Sequence, residues 1–255
     1  MVHATADPVC VDERLADALR RGARSTDVLR FRRRSHIYSA GDAAASIFLI
    51  EAGRVHLLVP SLAGRQCLLG IHQAGELFGE LCLGCPGRRR QHAALAVEDT
   101  LVRAIPGPRF LECLARAGLT ERFVHHLAAR LAAEQQTVAD LVTLGAEQRT
   151  GETLLRLART CGEPRHEAPG TTRLTWRLSH EELSQMVGTT RPRVTSFLSR
   201  FRRLGLLSKT PDGLLLVHEA RLRMHLAASG PEPARRPARG AAPRRPVTPL
   251  AALAG

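Results

Sequence analysis

The chain has 255 residues, 44% of them hydrophobic, and a formal net charge of +13. That length and apolar content allow one large or two small domains with a real core, and the charge points to a polyanionic partner, either nucleic acid or an anionic membrane surface. No run of eighteen apolar residues occurs and residues 1–21 lack the apolar stretch of a signal peptide, so neither a transmembrane helix nor secretion is expected and the protein is placed in the cytoplasm.

Residues 12–33 are charged and read as a short helix with Leu15, Ala18 and Leu19 on one face. From about residue 37 to 105 the texture changes to short apolar runs: SIFLI (46–50), VHLLV (55–59), QCLLGI (66–71), HAALAV (92–97) and LVRAI (101–105). Gly41, Gly53, Gly64, Gly75 and Gly79 stand between them. Short strands at regular spacing with glycine corners predict an antiparallel barrel or sandwich.

Pro106-Gly107-Pro108 closes that zone and helical period takes over. Val124, Leu127, Leu131, Val138 and Leu141 follow a 3-4 spacing interrupted only by Glu134, an a/d seam of nearly three heptads. Such a seam suits a helix packed on its own domain or a dimeric coiled coil. A second, mostly helical unit follows over residues 146–226. The tail, 229–255, is rich in Pro, Ala, Gly and Arg, cannot bury a core and is expected to be disordered, adding salt-sensitive affinity for nucleic acid.

Within the helical unit, Ser179 and Glu182 form a capping box that starts a helix with Leu183, Met186 and Val187 on its apolar face. Gly188 lets the backbone turn. Thr189 and Thr190 lead into a second helix, with Thr190 as N-cap and Pro192 in the first turn, where a missing N–H costs little. Val194, Phe197, Leu198 and Phe201 form its buried stripe and leave Arg191, Arg193, Thr195, Ser196 and Arg200 outside. Two such helices across a glycine turn make a helix-turn-helix, whose second helix enters the major groove of double-stranded DNA by its N-terminal end. Arg191 and Arg193 then reach bases or phosphates, and Arg200 and Arg202 suit phosphates. The following LLSKTPDGLLLV is a hairpin about Pro211-Asp212-Gly213, a wing.

Catalytic signatures are absent: there is no P-loop, GxSxG or HExxH, so an enzyme is not expected. Cys10, Cys67, Cys82, Cys85, Cys113 and Cys161 are scattered and read as reduced thiols. Cys82 and Cys85 make one CxxC pair beside three arginines, which would lower a thiol pKa and leaves a redox switch open. No metal site is expected from it, since a closed zinc site takes four ligands. His36, His56, His72 and His92 read as structural or surface residues.

The two halves together resemble the bacterial Crp/Fnr transcription regulators, the catabolite-activator type. The resemblance runs over residues 28–226 and rests on YSAGDAAASIFLIEAGRV, GELFGELCLG, RRRQHAALAVEDTLVRAIP and LSHEELSQMVGTTRPRVTSFLSRFRRLGLL, in the family's order. It implies an α+β protein: a partly helical segment (1–27), an antiparallel, jelly-roll-like β-roll sensor (28–118), a dimerisation helix (119–145), a winged helix-turn-helix (146–228) and the basic tail. It implies a homodimer on palindromic DNA, and leaves RNA polymerase open as a further partner. It places the effector at Gly79, Glu80, Leu81, Arg89, Arg90 and Gln91, with Glu134 and Gln135 where the family has an adenine-binding Thr-Ser pair. Gln91 replaces the family's Ser or Thr, and a buried Glu134 beside a phosphate is unfavourable. A cyclic nucleotide is thus one open effector, and no cofactor is fixed. Arg191 matches the arginine that the family places on a guanine, whereas Pro192 and Ser196 depart from its usual glutamate and arginine. The competing reading is a β-roll module acting on a protein partner.

Overall fold

A computed structural model of the chain describes residues 13–23, 26–60, 66–84, 89–165 and 169–229. Cys10, Gly64, Cys85 and Arg88 lie outside them, as does the tail beyond residue 229. The first helix, α1, is Glu13–Gly22, shorter than its charge pattern suggested. Val28–Phe31, expected at the helix end, is instead strand β1. On α1 the buried residues are Leu15, Ala16 and Leu19, and Ala18 is only half-buried.

Seven more strands follow: β2 (His36–Tyr38), β3 (Ser46–Ala52), β4 (Arg54–Pro60), β5 (Gln66–Gln73), β6 (Leu77–Phe78), β7 (Ala93–Ala96) and β8 (Thr100–Pro106). They pair antiparallel into two four-stranded sheets, ordered β1-β8-β3-β6 and β2-β7-β4-β5. Because successive side chains point to opposite faces of a strand, each sheet buries two faces. Tyr38, Phe48, Ile50, Val55, Leu57, Phe78, Ala94 and Val102 fill the space between the sheets. Ile47, Leu49, Leu77 and Ile105 point outward from the first sheet. There they meet α1, α2 (Gly107–Ala117) and the start of the long helix α3 (Thr120–Thr143) through Phe110, Leu114 and Phe123.

The second half comprises α4 (Ala146–Cys161), β9 (Gly162–Pro164), β10 (Thr171–Leu174), α5 (His180–Val187), α6 (Arg191–Arg203), β11 (Leu207–Lys209), β12 (Leu215–His218) and α7 (Glu219–Ala228). Its sheet runs β11-β12-β10-β9, with β11 and β12 forming the expected wing hairpin. Leu154, Leu183, Val194, Leu198, Phe201 and Leu222 fill its core, and Leu58, Leu68 and Ile71 of the roll join the same cluster.

The roll's tightest corner is Gly53, at φ 92° between β3 and β4. A Cβ there would sit 2.7 Å from the Asp99 carbonyl and 2.8 Å from the Thr100 Cα. Neither backbone atom can swing away, and the left-handed conformation disfavours any side chain. Gly53→Ala should therefore cost about 1–3 kcal/mol, read as a lowered midpoint in thermal unfolding.

Candidate nucleic-acid interface and anion pocket

Helix α5 begins as its sequence dictates. The Ser179 hydroxyl accepts from the Glu182 N–H at 3.1 Å, and the Glu182 carboxylate accepts from the Ser179 N–H at 2.6 Å. Gly188, at φ 69°, closes the helix and frees the chain to turn. Thr190 occupies the N-cap of α6, but its hydroxyl makes no capping bond, contrary to expectation. The usual donors to such a cap are the second and third N–H groups, and Pro192 at the second position has none.

Arg191, Arg193, Thr195, Ser196 and Arg200 are exposed on α6, while Val194, Leu198 and Phe201 are buried and Phe197 half-buried. Arg193 lies over the Phe197 ring, 5.6 Å from its centroid. The Thr195 hydroxyl donates to the Arg191 carbonyl and lies 2.8 Å from His180 Nδ1, tying the two helices. Burial first, then the charges of Arg202, Arg191 and Lys209, hold His180 below its ordinary pKa. The helix opening therefore carries a concentrated positive field. Arg200 is engaged by Glu147 at 3.0 Å, and Arg202 is half-buried, so these two are less freely presented than Arg191 and Arg193. Thr189 is half-buried at the turn. Sequence reasoning missed Arg177, whose guanidinium donates to the Asp212 carbonyl at 2.7 Å and braces the wing turn; a lone arginine in a loop gives no signal.

Along α3 the apolar row lies open: Leu131 and Val138 are each 61% exposed, and Val124 and Leu141 are exposed with them. Leu127 is turned partly inward against the roll. Val142, unnoticed in the heptad count, is 81% exposed and widens the stripe.

In the roll, Arg90 is buried and points inward. Its guanidinium donates to the carbonyls of Gly79 (3.0 Å) and Ser46 (2.6 Å) and stacks 4.3 Å from the Tyr38 ring centroid. Gly79 adopts φ 83°, and a Cβ on it would meet Arg90 at 2.8 Å. Glu80 is paired at 3.1 Å with Arg130, which reaches across from α3. Arg89 donates to the Gly41 carbonyl. Ala44, Gly79, Leu81, Cys82, Arg89, Arg90, Gln91 and His92 line a pocket of about 10 Å³, room for about one water molecule. Glu134 and Gln135 do not line it. Both are exposed on α3 of the single chain. Buried Arg90 Nε and Glu80 Oε2 find no hydrogen-bond partner among the described residues. One leftover donor atom on Arg90 and one leftover acceptor atom on Glu80 suit a polar ligand.

Two of the histidines are structural. His72 lies 2.9 Å from Glu76, four residues on, and both are buried; His56 faces Glu182. No cluster of three metal-ligating groups occurs among the described residues. The redox reading shifts. Cys82 is half-buried, and burial pushes its thiol pKa up against the opposing Arg90 charge. The thiolate is the reactive form, so at pH 7.5 iodoacetamide should label exposed Cys67 before Cys82, as peptide mapping by mass spectrometry would show.

Residues 28–117 match the family model of the cyclic nucleotide-binding domain, and residues 148–224 that of the Crp-like helix-turn-helix domain. The cyclic AMP receptor protein of Thermus thermophilus is 30% identical over 192 residues, covering 75% of this chain and 83% of that protein. The CRP-like cAMP-activated global transcriptional regulator of Mycobacterium tuberculosis is 29% identical over 195 residues, covering 75% and 84%. A solved CRP-family transcriptional regulator from Thermus thermophilus superposes with a TM-score of 0.59 at 26% identity, covering 81% of this chain and all of that one (100%). No helix among the described residues is long and apolar enough to cross a membrane.

Proposed function

The chain belongs to the Crp/Fnr family of DNA-binding transcription regulators, and from that premise we propose that it acts as a homodimer on a palindromic operator, under control of an effector held in the roll. The observation that carries the reading is the joint presentation of Arg191 and Arg193 at the open end of α6, beyond the Gly188 turn. A two-fold pairing of α3 through Val124, Leu131, Val138 and Leu141 buries the stripe that one chain leaves open and supplies two copies of α6. Symmetry then sets half-sites about 34–36 Å apart, one helical turn.

Thr189, Thr190, Arg193, Thr195, Ser196, Arg200 and Arg202 surround Arg191 as phosphate and groove contacts in this reading. The regulator works in the cytoplasm on its DNA, has RNA polymerase as the partner of an activating role, and performs no reaction of its own.

For the effector, Gly79, Glu80 and Arg90 retain the polar set that suits a cyclic nucleotide, the ligand class named for both curated relatives. Arg90 is bound to two carbonyls, and Gln91 brings no hydroxyl. A ligand must therefore displace those bonds, and its binding shifts the dimer only if it favours one arrangement over the other. The Glu80–Arg130 pair gives such a ligand a direct connection from the roll to α3.

The test is a selection of random duplex DNA on the purified protein at physiological salt, with and without a panel of cyclic nucleotides. A palindromic motif is the expected result. A motif dependent on one nucleotide identifies the effector, and a motif without any ligand removes the nucleotide requirement. Failure to enrich any motif under either condition would overturn the DNA reading.

A further inference from the structure

The roll does not merely precede the winged unit; one of its sheets carries it. Strand β4 alternates strictly. Val55 and Leu57 point into the roll, so Arg54, His56 and Leu58 point out of it. On β5, their partners Gln73, Ile71 and Leu68 share that outer face. In an isolated roll this face would meet water. Here Leu58, Leu68 and Ile71 are buried in the core of the winged unit with Leu183 and Val187 of α5.

Three polar contacts lie beside that apolar patch, one of them from the Thr175 hydroxyl to Gln73 Oε1 at 3.5 Å. Arg54 is held by Glu98 at 3.1 Å and stands 5.2 Å from the ring centroid of Trp176, in the segment between β10 and α5. His56 Nε2 lies 3.4 Å from the Glu182 carboxylate, the same group that caps α5. Burial holds His56 neutral, its pKa pushed down to about 4. The contact is thus between a neutral ring and a carboxylate.

Arg54 Nε, His56 Nε2 and Trp176 Nε1 are all buried without a well-aligned acceptor among the described residues. Leucine-like side chains in their places would avoid that desolvation cost. Their polarity therefore does little for packing strength, and what it supplies is direction. Arg54 stacks on one ring, and His56 faces one carboxylate at the first turn of the helix-turn-helix.

We propose that Arg54 and His56 are positioning residues for DNA recognition: acting through Trp176 and Glu182, they fix the angle at which the helix-turn-helix is presented relative to the roll of the same protomer. The proposal rests on the reading that α6 meets DNA. It assigns the roll's second sheet a role separate from that of the α3 dimer stripe. A change within the roll then reaches α5 through β4 and β5 inside one chain.

Trp176 is the only tryptophan in the sequence, so intrinsic fluorescence of the full chain reports this contact directly. The variants are Arg54→Met, His56→Leu, His56→Gln, Glu182→Gln and the double His56→Leu/Glu182→Gln. Glutamine at 182 preserves the capping box. Each is measured for acrylamide quenching of Trp176 without DNA, for affinity to the selected operator and to unrelated duplex, and for far-UV circular dichroism. Arg54→Met and His56→Leu are expected to raise quenching. Loss of operator affinity should be about tenfold for His56→Leu, within the range of a coupled contact, with unrelated duplex unchanged. His56→Gln, which keeps a donor, should recover much of that loss, and the double variant should be no worse than His56→Leu.

Unchanged quenching and affinity would overturn the proposal. So would raised quenching with full operator affinity, or additive losses in the double variant. If His56→Leu does not fold, Arg54→Met and His56→Gln carry the same comparison. Absence of any motif for the wild-type chain sinks the DNA reading, whereas a motif bound equally by all variants sinks the positioning role alone.

Discussion

Arg191→Ala is expected to weaken operator binding by about 1–3 kcal/mol and to relax the preference at one base pair of each half-site. The side chain is exposed at the first position of α6, past a turn fixed by Gly188, so nothing in the protein's core depends on it. A bidentate guanidinium contact to a guanine edge carries discrimination that a lysine cannot reproduce. Arg191→Lys should therefore retain salt-dependent affinity but lose selectivity. Arg200→Ala provides the contrast. It removes the bridge to Glu147 and one surface charge, and should weaken all duplexes alike. The check is a repeated binding-site selection with each variant. An unchanged motif for Arg191→Ala would move base reading to Arg193 or Ser196.

Leu131→Glu should convert the protein to a monomer. At 61% exposure in the single chain, the side chain can become charged without disturbing the fold. In a paired α3 the same carboxylate would be buried against its symmetry mate, where an unpaired charge is strongly unfavourable. Sedimentation should show the mass of one chain. Operator affinity should fall by about 10²–10⁴-fold, the gain that two linked half-site contacts ordinarily provide, while circular dichroism stays unchanged. Leu127 is the wrong residue for this test because it packs partly against the roll. A dimer that survives Leu131→Glu would place the interface elsewhere.

The helix-turn-helix was legible almost residue by residue because its signals are local. A capping box, a glycine turn and an apolar stripe each act within one helix, and each reappears in the structure. The long helix and the wing were legible for the same reason. Strands β1 and β2 were hidden by the arginine-rich stretch 30–34, whose charge reads as a solvated helix, and β6 is only two residues long. Ala16 and Ala18 exchanged places because a short helix gives too few apolar residues to fix its phase.

The error at Cys82 has another origin. Thiolate character there was judged from neighbouring sequence, but it depends on tertiary environment, and the fold half-buries the thiol. The platform on β4 and β5 did leave a trace. RVHLLVP is apolar at both odd and even positions over its middle, the mark of a strand covered on both faces. The half of that signal that points away from the roll is what the winged unit covers.

The hydrophobic cluster running from Leu58, Leu68 and Ile71 into Leu183, Val187 and Phe201 crosses from one family-matched region to the other. Heating such a chain should not melt its halves one after the other. Detaching the winged half would bare the outer face of β4 and β5, and detaching the roll would bare α5, so each half loses apolar burial when its neighbour unfolds. Calorimetry should then give one endotherm whose measured and van't Hoff enthalpies agree, and a protease attacking the 146–229 segment should find it no more open than the roll.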